Sequence, residues 1–302
     1  MKKSFLAGAA VAVSALAVAG TAHAEDTLKK IKDSGTITEG VRESSGALAF
    51  TLGDGKYTGF HYDVCAHIIA DIQKQLGMSK IDVKYQPVTS QNRIPLVQNG
   101  TVDLECGSTT NNAARQKDVA FAPALYIEEV RIAVKKSSGI KGIADLNGKT
   151  VATTTGTTSV QLLRKNKRAQ GMDFKELNGK DHSDSFLLLE SGRADAFVMD
   201  GQILAGLISK AKNPGDFAIV GEPLSVEPIA IMYRKDDPAF KKAVDDSVRA
   251  MAKSGEVAKL YDKWFMQPIP PGNTKVNLPA SDATKAAWAN PTDKPLEEYT
   301  QP

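Results

Sequence analysis

Arg93 stands where a helix begins. Ile94, Leu96 and Val97 are the apolar residues of a short helix, Pro95 fits only its first turn, and Asn99-Gly100 stops it. A helix N-terminus repels a cation, so an arginine there costs on the order of a few tenths of a kcal/mol unless an anion lies between them. The chemistry implied is anion binding. Other stretches carry groups of related use. "TTGTTS" puts Gly156, Thr157 and Thr158 at the opening of another helix, where free N–H groups suit a carboxylate, although a plain capping turn accounts for them equally. Asp200 ends a strand and either caps the following helix or meets a cation. His182, flanked by Asp181 and Asp184, is expected to be protonated, so that affinity for an anion beside it would weaken as pH rises.

The elements that must position these residues follow an α/β pattern, with short β-branched or apolar runs alternating with helical ones. "GTITEGVRES" reads as a strand ending near Arg42, "YDVCAHIIADIQKQLG" as a helix closed by Gly77, and "IDVKYQPV" and "TVDLECGS" as further strands. After "EEVRIAVKK" the pattern restarts with the strand, turn and helix of "KTVATTTGTTSVQLLRKN". "AIMYRKDD" returns to strand, and a helix pair precedes a Pro-rich tail. "LVQNGTVDLECGS" resembles "LLESGRADAFVMD" at a constant offset of 92 residues, which also carries Ser90 onto His182. Two similar lobes facing each other across the carboxyl ends of their strands would place ligands where open sheets bind them.

The chain opens with two lysines, a small apolar run and Ala22-His23-Ala24, the pattern of a cleaved secretory leader over residues 1–24. Its removal takes Lys2 and Lys3 away and lowers the formal charge from +3 to +1 over 278 residues, which argues against a nucleic-acid partner. No later stretch reaches the ~20 apolar residues that span a bilayer. Cys65 and Cys106 cannot complete a structural zinc or iron–sulfur site alone; they either pair in an oxidising compartment or fill apolar positions as small buried residues. No metal and no cofactor is expected.

"TSQNRIPLVQNGTVDLECGSTTNN", with "RESSGAL", "KDHSDSF", "ESGRADAFVMD", "YRKDDPAF" and "ANPTDKP", resembles the extracytoplasmic amino-acid-binding proteins of ABC importers, and within them the glutamate/aspartate-binding group. The resemblance implies a type II periplasmic-binding-protein fold. Lobe 1 would span 25–127 and 229–302, and lobe 2 would span 128–228, each a mostly parallel sheet flanked by helices and joined by two hinge strands. By the same likeness, Arg115 and Thr110 would hold the ligand α-carboxylate with Thr157 and Thr158, while Asp200 and Ser108 would accept the α-ammonium. Arg42, Ser90, Arg93 and His182 would bind the second carboxylate. The expected protein is a periplasmic monomer and no enzyme, which shuts over L-glutamate or L-aspartate and docks on a permease whose ATPase is another chain. The rivals are a dehydratase- or lyase-like enzyme on the same fold and a ligand-sensing partner of a membrane receptor.

Overall fold

The computed structural model describes residues 26–299, so the expected leader peptide lies outside the described residues. The chain enters through α1 (Thr27–Ser34), where the Asp26 side chain caps the first turn by accepting from Lys29 N, and passes into β1 (Thr36–Val41). A small antiparallel sheet that sequence patterning did not anticipate follows, built from β2 (Ser44–Ser45), β3 (Ala49–Gly53) and β4 (Lys56–Thr58). Then come α2 (Phe60–Gln75), β5 (Asp82–Pro87), α3 (Arg93–Gln98), β6 (Leu104–Glu105) and β7 (Val119–Phe121).

The long strand β8 (Tyr126–Lys135) carries the chain into a second sheet. There β9 (Thr150–Thr154), α4 (Thr158–Ala169), β10 (Lys175–Gly179), α5 (His182–Glu190), β11 (Ala196–Asp200) and α6 (Gly201–Ser209) follow one another. β12 (Phe217–Ile229) brings it back to β13 (Met232–Arg234), α7 (Pro238–Ser254), α8 (Glu256–Tyr261) and α9 (Asp282–Ala289).

The strand orders are β5-β1-β6-β13-β7 in one sheet and β10-β9-β11-β8-β12 in the other. Each sheet has a parallel trio followed by an antiparallel pair, so four of its five strands point one way. The similarity at offset 92 has a structural counterpart: β5, α3 and β6 hold the same places in their sheet as β10, α5 and β11 in theirs. Between the lobes β8 and β12 run antiparallel, with Tyr126 opposite Ile229, Glu128 opposite Glu227 and Val130 opposite Ser225. Their register shifts between Val220 and Ser225, where β12 bulges.

Each lobe has its own core. Ile37, Leu48, Phe60, Ile68, Leu104, Phe240 and Phe265 pack between the first sheet, α2 and the C-terminal helices. Val130, Ile132, Val151, Leu163 and Val198 fill one face of the second sheet, and Phe186, Leu189, Phe197 and Ile203 fill the other. Complete burial of each such side chain contributes ~1.5–3 kcal/mol. Of the two readings left open for the cysteines, the pairing is the one formed: Cys65 on α2 is bonded to Cys106 just after β6, Cα–Cα 6.3 Å, inside the lobe 1 core. The tail packs against the start of β8: Trp288 Nε1 donates to Leu125 O at 2.7 Å and Ile127 N donates to Thr284 Oγ1 at 3.1 Å.

Candidate ligand-binding site

The carboxyl ends of both sets of parallel strands point at the seam between the lobes. Arg42 follows β1, Ser90 and Arg93 lie where β5 leads into α3, and Ser108 follows β6. Across the seam Thr157 and Thr158 open α4, His182 is the first residue of α5, and Asp200 ends β11. The lobes are shut on one another. At Gly156 (φ +83°) a Cβ would lie 2.6 Å from Gln91 Cα of the facing lobe, so only glycine permits this approach. Arg115 donates to Thr110 O at 2.8 Å on its own side and to Gly156 O at 3.3 Å on the other.

The lobe 1 half is cationic and underused. Arg42 and Arg93 are both at most 2 % exposed, and Nε and Nη1 of each make no hydrogen bond among the described residues. Arg42 spends only Nη2, on Ser90 Oγ at 3.0 Å, Asp181 Oδ1 at 3.1 Å and His182 Nε2 at 3.1 Å. Burial pushes the Arg93 pKa well down, and the neighbouring Arg115 and Arg42 add to it against Glu105 and Asp200. A guanidinium keeps its proton at physiological pH, so that penalty becomes a demand for a bound anion. Arg93 does begin a helix, as its sequence context indicates, with Asn92 before it and no side chain capping the first turn.

The hydroxyls play a different part from the one expected of them. Thr110 Oγ1 and Thr158 Oγ1 both donate to Glu227 Oε2, at 2.7 and 2.8 Å. Thr157 Oγ1 donates to Thr154 O at 2.7 Å, and Ser108 Oγ to Ser45 Oγ at 3.0 Å. Each has given its proton to the protein and keeps only lone pairs, which suit an ammonium. In this arrangement the groups left to donate to a ligand carboxylate are guanidinium N–H, backbone N–H and the Ser90 hydroxyl. Among these hydroxyls Ser90 alone accepts, from Arg42, and retains a proton to give.

His182 also departs from expectation. It is buried, and its pKa falls to about 3, through burial first and then the Arg42 charge, with Asp181 opposing. The imidazole is neutral, and its partners fix the tautomer. Arg42 can only donate, so Nε2 accepts and Nδ1–H donates to Thr154 Oγ1 at 3.0 Å. Thr154 Oγ1 then donates to Ser185 Oγ at 2.8 Å, which donates to Thr153 O at 2.8 Å. Burial and the Arg42 guanidinium thus oppose the protonated ring expected from Asp181 and Asp184. Two flanking carboxylates looked sufficient to charge it, but desolvation and a guanidinium at 3.1 Å outweigh them.

Asp200 faces the three arginines but also Glu227. Burial and Glu227 raise its pKa to about 7, with Arg93, Arg115 and Arg42 pulling the other way. It precedes α6 without capping it through its side chain. Three contributors escaped sequence reasoning. Asp181 ties the lobes by accepting from Arg42 and from Ser44 Oγ. Gln202 does so through its amide, accepting from Ala47 N at 3.0 Å and donating to Ser45 O at 3.2 Å. Glu227 lies within "SVEPIAI", and an acid inside an apolar strand was the available signal. His61, neutral because burial lowers its pKa to about 4, braces the loop before Ser108 through Gly107 O at 2.6 Å.

Residues 37–267 match the model of the bacterial extracellular solute-binding proteins, family 3. The chain belongs to that family. It is 48 % identical over 274 residues to the L-glutamate/L-aspartate-binding protein of Pseudomonas aeruginosa, covering 90 % of each chain. It is 46 % identical to the glutamate/aspartate import solute-binding protein of Escherichia coli, covering 95 % of this chain and 98 % of that one. Among solved structures, a mutant of ArgBP from T. maritima superposes with a TM-score of 0.70 at 28 % identity, covering 80 % of this chain and 99 % of that chain. The fold is that of type II periplasmic binding proteins. The family membership makes this chain an extracellular solute-binding protein, and the relatives named here carry binding or import names.

Proposed function

We propose that this chain captures L-glutamate or L-aspartate between its lobes and delivers it to the membrane permease of an ABC importer. The observation that carries the reading is that Arg42 and Arg93 are both buried with unspent N–H groups, in addition to Arg115, so the cleft holds more guanidinium than one carboxylate needs. An acidic amino acid has two carboxylates and one ammonium. Arg115 and the first turn of α4 suit the α-carboxylate, Arg42, Ser90 and Arg93 suit the side-chain carboxylate, and Asp200 with the hydroxyl lone pairs suits the ammonium. His182 orients Arg42 rather than adding charge. The names of the P. aeruginosa and E. coli relatives support the same ligand class.

Residues 1–24 act in this reading as a leader removed on export, and the mature chain works as a monomer with no nucleic-acid partner. Glutamine should be rejected, because a neutral amide leaves guanidinium N–H groups unpaired in a buried site. Isothermal titration of protein stripped of carried-over ligand by unfolding and refolding tests the proposal. One-to-one binding of L-glutamate and L-aspartate with little heat from L-glutamine is expected; equal binding of glutamine, or none of the three, would overturn it.

A further inference from the structure

Glu227 belongs to neither half of the ligand-binding set. It sits on β12 between the lobes, 1 % exposed. Oε2 accepts from Thr110 Oγ1 at 2.7 Å on lobe 1 and from Thr158 Oγ1 at 2.8 Å on lobe 2, and Oε1 accepts from Ser225 Oγ at 3.0 Å. The two threonine hydroxyls are 3.5 Å apart. Thr110 is tied to β12 itself, since it bridges Ile229 and its neighbour Asn111 N donates to Pro228 O at 2.9 Å. Thr158 has no such tie, being carried on α4. If β12 bends on the lobe 2 side of Glu227, so that Glu227 stays with lobe 1 and not with the 128–228 segment expected from the sequence, a rotation of lobe 2 leaves Thr110 with Glu227 and takes Thr158 away.

We infer that Glu227 is a positioning residue and a closure latch: it turns the Thr110 and Thr158 protons away from the cleft and ties lobe 2 to the hinge only in the shut state. The inference rests on the reading of the cleft as an amino-acid site. Both consequences serve it. The hydroxyl oxygens present lone pairs to an ammonium, and the bond from Thr158 must break before the ligand can leave. The charged groups around Glu227 are Glu128 opposite it on β8, Asp200 at the end of β11, and Arg115 from lobe 1. Two carboxyls against one guanidinium make the position a poor place for an acid unless its hydrogen bonds are used, and the three hydroxyl donors supply them.

Stopped-flow measurement of L-glutamate binding tests the latch in the full mature chain. Glu227→Ala should raise koff about tenfold or more and leave kon within about twofold, because the Thr158 bond is absent from the open encounter state. Glu227→Gln should recover most of the loss: its amide oxygen still accepts from both threonines and its NH2 can donate to Ser225. Thr158→Val guards against a Glu227→Ala protein that does not fold, and should raise koff on its own. Where both fold, Thr158→Val should cost markedly less in the Glu227→Ala background than in wild type. An unchanged koff, an effect confined to kon, or strictly additive losses would overturn the latch. Absence of acidic amino-acid binding by the wild type would instead overturn the functional reading.

Discussion

The two lobes use the same supersecondary unit for opposite chemistry. β5-α3-β6 and β10-α5-β11 occupy equivalent sheet positions, and the offset of 92 that relates them pairs Arg93 with Ser185, Ser90 with His182, and Ser108 with Asp200. In lobe 1 the cleft edge carries three guanidiniums, two of them with buried, unspent N–H groups. In lobe 2 the corresponding edge is neutral or acidic: His182 is uncharged, Ser185 merely relays its hydrogen bond, and Asp200 is raised to about 7. A strand end and a helix start fix where a side chain is placed and leave its charge free to vary. On the proposed reading, lobe 1 captures the anion and lobe 2 completes the site.

The comparison breaks most visibly at Arg93. Arg93→Ala should cost about 3–4 kcal/mol of L-glutamate binding, on the order of 10²–10³-fold in Kd, because it removes a buried charge-assisted contact, whereas His182→Ala should cost roughly tenfold. Titration calorimetry on the two variants decides it, and a larger loss from lobe 2 would refute the division of labour. Lobe 1 also holds the Cys65–Cys106 bridge, while no disulfide lies in lobe 2 among the described residues. Replacing both cysteines by serine should lower stability by about 2–4 kcal/mol, measured as a lower midpoint in urea.

Two titrations sharpen the contrast further. Asp200 loses its proton near pH 7 in the shut cleft, and an ammonium beside it favours the charged form. Glutamate affinity should therefore rise by up to about tenfold per unit between pH 5 and 7 and then level off. With His182 held near 3, no second step with the opposite sign should occur between pH 5 and 8; a bell-shaped profile would restore a charged His182. Within lobe 1, burial raises Glu39 from 4.5 to about 8, so the folded state binds a proton that the unfolded chain releases above its ordinary pKa. Stability from this group is fully present below pH 4.5 and is lost as pH climbs to about 8. Glu39→Gln should thus leave stability at pH 4 nearly unchanged and raise it at pH 8.5 by several kcal/mol, at most about 5, in thermal or urea unfolding.

Legibility in the sequence followed the range of the interactions. The helix carrying Arg93, the closing Asn99-Gly100, the strand before Arg42 and the Gly-Thr turn before α4 depend on neighbours a few residues away, and all could be placed from local signals. The three-stranded β2-β3-β4 sheet was missed because its strands are only two to five residues long and carry no sustained alternation. Glu227, Asp181 and Gln202 escaped because each acts through a partner more than 100 residues away.

Sequence by itself determined the α/β alternation, the paired units, and the residue types gathered at the strand ends, since those depend on periodicity and on backbone rules that hold locally. The tertiary structure decided protonation and donor direction. His182 and its two flanking acids look like a charged cluster in the chain, and only burial beside Arg42 makes the ring neutral. The threonines look like donors to a ligand, and only the approach of Glu227 takes their protons. Charge and hydrogen-bond polarity are set by the dielectric and the nearest partner in space, and neither exists until the chain has folded.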